Sequence, residues 1–226
     1  MSPDDVITFF ESLVDDQPDR ATEDVLLDAA YSKRNDGRMW AFLLKMDSSI
    51  THGTGDTWQS AKTLPTDFDV PEKVYVGAAD NEYLGVPYEN ILQSIGAANR
   101  YSIDYQGNSL RFLGPGDGSL TYLWYKYSPT SLIGLSVAQK AAATTIVWPK
   151  RFCPILAFDM AQIYLGGIDA DDISRAQVPF HNTAHKELYN AMIAWDTKRR
   201  MKMFGNSSTP QRGYGRTTPA DVVDIP

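Results

Sequence analysis

His181 and His185 stand four residues apart, the spacing at which two imidazoles on one helix face can share a metal. The zinc-protease form of that pair carries a glutamate directly after the first histidine. Here Asn182 holds the position and no third ligand accompanies the pair, so both read as surface or packed histidines. Asp169, Asp171 and Asp172 have the look of a calcium loop, but the glycine at the sixth position is missing and Glu187 is too far along. Capping the start of a helix explains them better. Gly114-Pro115-Gly116-Asp117-Gly118-Ser119 is glycine-rich without the Lys-Ser or Lys-Thr pair of a phosphate cradle, and it reads as a turn between strands. Ser136, in Gly134-Leu135-Ser136-Val137-Ala138, lacks the closing glycine of a nucleophile elbow. Tyr122, Trp124, Tyr125 and Tyr127 could stack a sugar or a base, yet neighbours along a strand face opposite sides, so at least half are expected to pack inward. These residues predict no catalytic set, no metal and no cofactor: a protein that is not an enzyme.

The elements that position these residues follow from composition and period. The chain has 226 residues, enough for one sizeable domain or a domain carrying a sub-domain. Its net charge of −7 argues against a surface that grips a phosphate backbone throughout. The basic run Lys198-Arg199-Arg200-Met201-Lys202 suits the negative end of a helix, with a phosphate or an acidic partner as the competing use. Cys153 is the only cysteine, which excludes an internal disulfide and any multi-cysteine zinc site. The acidic start has no apolar signal region, and no run reaches the roughly 18 apolar residues of a membrane span, so a soluble protein is expected.

Apolar residues at Val6, Phe9, Phe10, Leu13 and Val14 predict a first helix over Asp4–Val14. A second, capped by Thr22, should run to the turn at Asn35-Asp36-Gly37, and a third piece over Arg38–Met46 should complete half of a bundle. Residues 47–55 read as a loop. Strands are expected over 56–64, 71–78 and 82–86, with helical turns over 88–95. A three-stranded meander should fill Tyr101–Tyr127, its first turn relying on a positive φ at Gly107. Beyond Pro129 the helical period returns: Leu132–Thr145, then Trp148 to Gly166, then a long helix from about Asp169 to Phe204 that Pro179 should kink. From Gly205 onward the chain is too polar to order itself, and it reads as a tail or as an arm that orders on a partner. The expected fold class is α+β: residues 1–55 and 128–204 as a helical bundle, 56–127 as a small inserted antiparallel β-sub-domain, and 205–226 as an extended C-terminal arm.

Several stretches in this order are together similar to the head-to-tail adaptor (connector) proteins of tailed bacteriophages, the tail-tubular or gatekeeper-like kind. They are Trp40-Ala41-Phe42-Leu43, Leu64-Pro65-Thr66-Asp67-Phe68, Gly107 to Gly116 with Leu110-Arg111-Phe112, Tyr125-Lys126-Tyr127-Ser128-Pro129-Thr130-Ser131-Leu132, Trp148-Pro149 to Phe152, and the long terminal helix. The resemblance covers about residues 22–204 and rests on order and spacing rather than on any single motif. It implies a structural protein of the virion neck, assembled in the host cytoplasm. About a dozen copies would form a ring under the portal, joining it to the tail or nozzle proteins and lining the DNA channel, with no membrane and only non-specific proximity to DNA. Arg212, Tyr214, Arg216, Val222, Val223 and Ile225 would anchor the arm on the portal. A carbohydrate-binding module and a tail-completion or minor capsid protein are the competing readings.

Overall fold

In the computed structural model, residues 1–15, 17–77, 81–166 and 172–204 are described, the side chains of 172–181 excepted. Helix α1 (Pro3–Glu11) opens on a reciprocal cap: Ser2 Oγ accepts from the Asp5 backbone, and the Asp5 carboxylate accepts from the Ser2 backbone at 2.8 Å. Val6, Ile7 and Phe10 are its fully buried stripe. Helix α2 (Arg20–Gly37) is capped by Asp19, which accepts from Thr22; the threonine expected as the cap is the donor. The helical piece expected over Arg38–Met46 is instead a 3-10 turn, Ala41–Leu43, followed by strand β1 (Leu44–Asp47). Trp40 and Leu43 are already fully buried at the turn, and from Leu44 onward the backbone bonds to the sheet.

The sheet continues with β2 (Thr51–His52), β3 (Lys62–Thr63), β4 (Phe68–Val76), β5 (Glu82–Gly85), β6 (Arg100–Asp104), β7 (Ser109–Phe112) and β8 (Ser119–Tyr127). Its order is β1-β8-β4-β5-β6-β7-β3, with β2 added on β8. A 3-10 turn at Tyr88–Gln93 carries the chain between β5 and β6, which run parallel. Leu64, Val74, Ile103, Leu110, Phe112 and Leu123 are among the buried residues of its core.

This overturns the expected helical bundle with a small antiparallel insertion. The described residues form a mixed α/β protein, with a curled, half-barrel sheet whose main path has seven strands, and with about six helices. Two physical causes stand out. Residues read as loop or helix, Leu44–Asp47 and Thr51–His52, supply strands. The third strand of the supposed meander leaves its hairpin: β7 has four residues, whereas β8 and β4 have nine each and pair along most of their length. The β6–β7 hairpin stands, but its left-handed residue is Asn108, at φ 43°, rather than Gly107.

The second helical stretch is shorter than its period suggests. After Gly134 only α3 (Val137–Ala141) forms, started by a Ser136–Gln139 cap. A 3-10 turn at Lys150–Phe152 leads into α4 (Pro154–Leu165), and α5 (Asp172–Phe204) runs on through Pro179 as one helix rather than with a separate first turn. The expected arm, with Arg212, Tyr214, Arg216, Val222, Val223 and Ile225, lies outside the described residues. The described chain divides into two compact units, residues 1–44 with 128–204, and residues 45–127. In the helical unit α4 is central and packs on α1, α2 and α5.

Candidate functional site

Asp159 is the only charged residue of helix α4; it sits among Ile155, Leu156, Phe158 and Met160 and is buried. A buried carboxylate needs partners. Arg34 of α2 supplies two bonds, Nε to Oδ2 at 2.6 Å and Nη2 to Oδ1 at 2.5 Å. His185 of α5 brings Nε2 to 3.2 Å from Asp159 Oδ1 and 2.8 Å from Arg34 Nη2. That nitrogen serves one neighbour at a time, accepting from the guanidinium or, protonated, donating to the carboxylate. The guanidinium also lies 4.5 Å from the centre of the Tyr189 ring. Burial alone would raise the Asp159 carboxyl, but the bonds from Arg34 and His185 outweigh it and hold the group below its ordinary range. Chemically this network clamps three helices.

A second buried acid, Asp196 of α5, accepts from the Ala41 backbone at 2.6 Å and so anchors the start of the 3-10 turn. Its Oδ2 makes no hydrogen bond among the described residues and faces Arg38 Nε at 3.8 Å. Here burial dominates and pushes the carboxyl up, against the lowering pull of Ala41 and Arg38. Around it Trp40 stacks on Phe42, with centroids 5.6 Å apart, and reaches Trp148 at 6.4 Å. Trp148 Nε1 donates to Asn35 at 2.8 Å, and Trp40 Nε1 to the Arg34 carbonyl at 2.9 Å.

In the sheet unit, Asp67 ties together the segment before β4 and the end of β8. Tyr125 donates its hydroxyl to Oδ1 at 2.9 Å, and Lys45 Nζ reaches Oδ2 at 2.5 Å while lying 4.0 Å from the Tyr127 ring centre. Beside this group Met46, Asp47, Ser49, Thr63, Leu64, Pro65 and Tyr125 line a shallow recess of about 320 Å³. Burial and the neighbouring Asp67 push the Tyr125 phenol far up, so it stays a donor. At the far end of β8, His52 is buried and stacks on Phe112 at 4.0 Å; Nε2 lies 3.2 Å from the Gly114 carbonyl and Nδ1 3.4 Å from the Tyr83 hydroxyl. With Nε2 donating and Nδ1 accepting, the ring is neutral. Burial holds its pKa below the ordinary histidine value, more strongly than the Gly114 bond raises it.

The sequence-predicted candidates disperse. His185 joins the Arg34–Asp159 network, while the side chain of His181 and all of Asp169 and Asp171 lie outside the described residues. No group of three or more His, Cys, Asp or Glu side chains is placed to hold a metal among the described residues. Ser136 caps α3. The glycine-rich turn is shaped by close packing: a Cβ on Gly116 would stand 2.2 Å from the Gly53 carbonyl oxygen. The aromatics of β8 do not form one platform, since Tyr125 is buried with the sheet core and Tyr122 and Trp124 alternate to the other face. Cys153 is buried, and burial raises its thiol to about 11.

Sequence reasoning missed Asp159, although an acid alone in an apolar helix was a visible signal that a buried cation must meet it. It also missed the lock between Asp67 and Tyr125. No protein-family model matches the chain, and no curated protein is detectably similar to it.

Proposed function

We propose that this chain is a structural head-to-tail adaptor of a tailed bacteriophage, forming a ring under the portal that joins it to the tail and surrounds the DNA path. One observation carries the reading: the sequence-distant stretches that resemble adaptors meet in pairs. Trp40 of the first stretch packs on Trp148 of the fifth, with ring centroids 6.4 Å apart. Asp67 of the second bonds Tyr125 of the fourth, and Phe68 faces Tyr127 in register. Motifs that lock one another across the chain belong to one architecture, and their order then carries more weight than any of them alone. The net charge of −7 is compatible with a ring through which DNA slides.

In this reading the segment 205–226 docks on the portal through Arg212, Tyr214, Arg216, Val222, Val223 and Ile225. Co-expression with the portal protein of the same genome, followed by electron cryomicroscopy of what co-purifies, tests it. A ring on the portal is the expected result, and removal of residues 205–226 should abolish attachment while leaving the remainder folded. A chain that ignores the portal overturns the reading. A copy number far above that of the portal overturns it in favour of a tail-tube protein.

A further inference from the structure

The 3-10 turn before α4 and the last turns of α5 gather cations on an aromatic base. The Arg151 guanidinium carbon lies 4.6 Å from the Phe152 ring centre and 5.3 Å from that of Trp195. Arg199 lies 5.5 Å from the same Trp195 ring. Lys198 and Lys202, one helical turn apart, are exposed, as are both arginines. A guanidinium stacked on a ring keeps its N–H fork free and pre-set for a carboxylate. Arg151, Lys198, Arg199 and Lys202 form no ion pair among the described residues.

The same unit carries the opposite charge elsewhere. Through α1, the connecting turn and the first half of α2, acids recur and Arg20 is the only base. Asp15 and Asp19 are exposed there, and Glu11 is half-buried. Glu11 also borders Glu23, whose carboxyl is raised by burial first and by Glu11 next. A cation brought to this turn would relieve that repulsion.

We propose that the basic face of Arg151, Lys198, Arg199 and Lys202 in one copy docks on the acidic α1–α2 turn, around Glu11, Asp15 and Asp19, of a second copy. The inference rests on the ring reading and supplies its contact: two different patches meeting head to tail generate a ring when the rotation closes. Both halves of the charge pair stand on this chain. A nucleic acid would meet one cationic face on a surface that is otherwise net acidic. Solvent-exposed ion pairs make such a contact weak and sensitive to salt.

The test is sedimentation equilibrium of the full chain at low and high salt, with charge reversals. Lys198→Glu with Lys202→Glu should weaken self-association about tenfold, and Glu11→Lys with Asp15→Lys should do the same, at roughly threefold per charge. Mixing the two reversed proteins should restore association. Because a reversal can disturb folding, Lys198→Gln with Lys202→Gln is the milder companion, and the urea midpoint of each variant is compared with the parent. Three results overturn the proposal: a parent chain still monomeric at about 1 mM, reversals without effect, or a mixture that does not recover. Loss of duplex DNA binding in the lysine variants with unchanged self-association also overturns it and assigns the face to nucleic acid. If portal-bound rings form regardless of the reversals, this contact fails while the adaptor reading stands. If the charge swap works and the portal is ignored, the reverse holds.

Discussion

Arg34 grips Asp159 through two parallel bonds, joining α2 to the most buried helix of its unit. Such a fork is the strong form of a charged hydrogen bond, and both partners are largely removed from water. Removing one partner strands the other. Arg34→Met or Asp159→Asn should therefore cost about 3–5 kcal/mol in urea unfolding. The double variant Arg34→Met with Asp159→Asn should lose less than these two single changes added together. Equal additivity would show that the pair does not act as a unit.

Asp159 and Asp196 should leave opposite marks on stability against pH. The folded-state pKa of Asp159 is depressed, so its contribution is complete above the ordinary aspartate range and is lost as pH falls through the folded value. That of Asp196 is raised by burial, so its contribution is greatest in acid and declines as pH rises through the folded value. Asp196→Asn keeps an oxygen for the Ala41 backbone while removing the charge. Its urea midpoint should be less dependent on pH above the ordinary aspartate range than that of the parent, and a profile parallel to the parent's would contradict the assignment.

His52 adds an acid limb of its own within the sheet. Its folded pKa lies below the ordinary histidine value of about 6.5. Stability from the neutral ring is present above that value and is lost as pH falls toward the folded one. His52→Gln should lower stability at neutral pH and flatten the profile as pH falls below about 6.5. Tryptophan and tyrosine near-ultraviolet dichroism would follow the unfolding in both proteins.

Gly116 faces backbone where any side chain would stand, 2.2 Å from the Gly53 oxygen and 2.7 Å from the His52 ring. Gly116→Ala should cost about 3 kcal/mol, the upper part of what overpacking exacts. Gly55→Ala, with nothing within 4 Å of the added carbon, is the matched control and should change the urea midpoint little. Equal midpoints for the two variants would refute the packing argument.

Local signals were legible wherever an element is decided by its own residues. The stripe Val6–Phe10, the break at Gly37, the hairpin of β6 and β7 and the long α5 all follow from period and turn chemistry. What was not legible depended on partners far along the chain. Thr51–His52 is too short to show a strand period and exists because β8 lies beside it. Leu44–Asp47 reads as the end of a helix until β8 offers it hydrogen bonds. Asp159 stands out in the sequence as the one acid of its helix, but that Arg34 and His185 meet it is decided by other elements. The misjudged size of the sheet has the same origin: β8 resembles the third strand of a meander, and its length matches β4 better than β7. Pairing length is a property of two segments, and no window on one of them contains it.

The strand that begins the sheet unit and the strand that ends it are neighbours, and Lys45 lies against the ring of Tyr127. Seen from the helices, then, everything between these residues is a loop whose two ends are already held together. The entropy of closing a loop grows only slowly with its length. Inserted residues in the turns of this sheet, or an exchange of the edge strand β3, should leave the helical unit's own folding almost unchanged. Such a chain can diversify one half while keeping the other constant, as a handle accepts different blades.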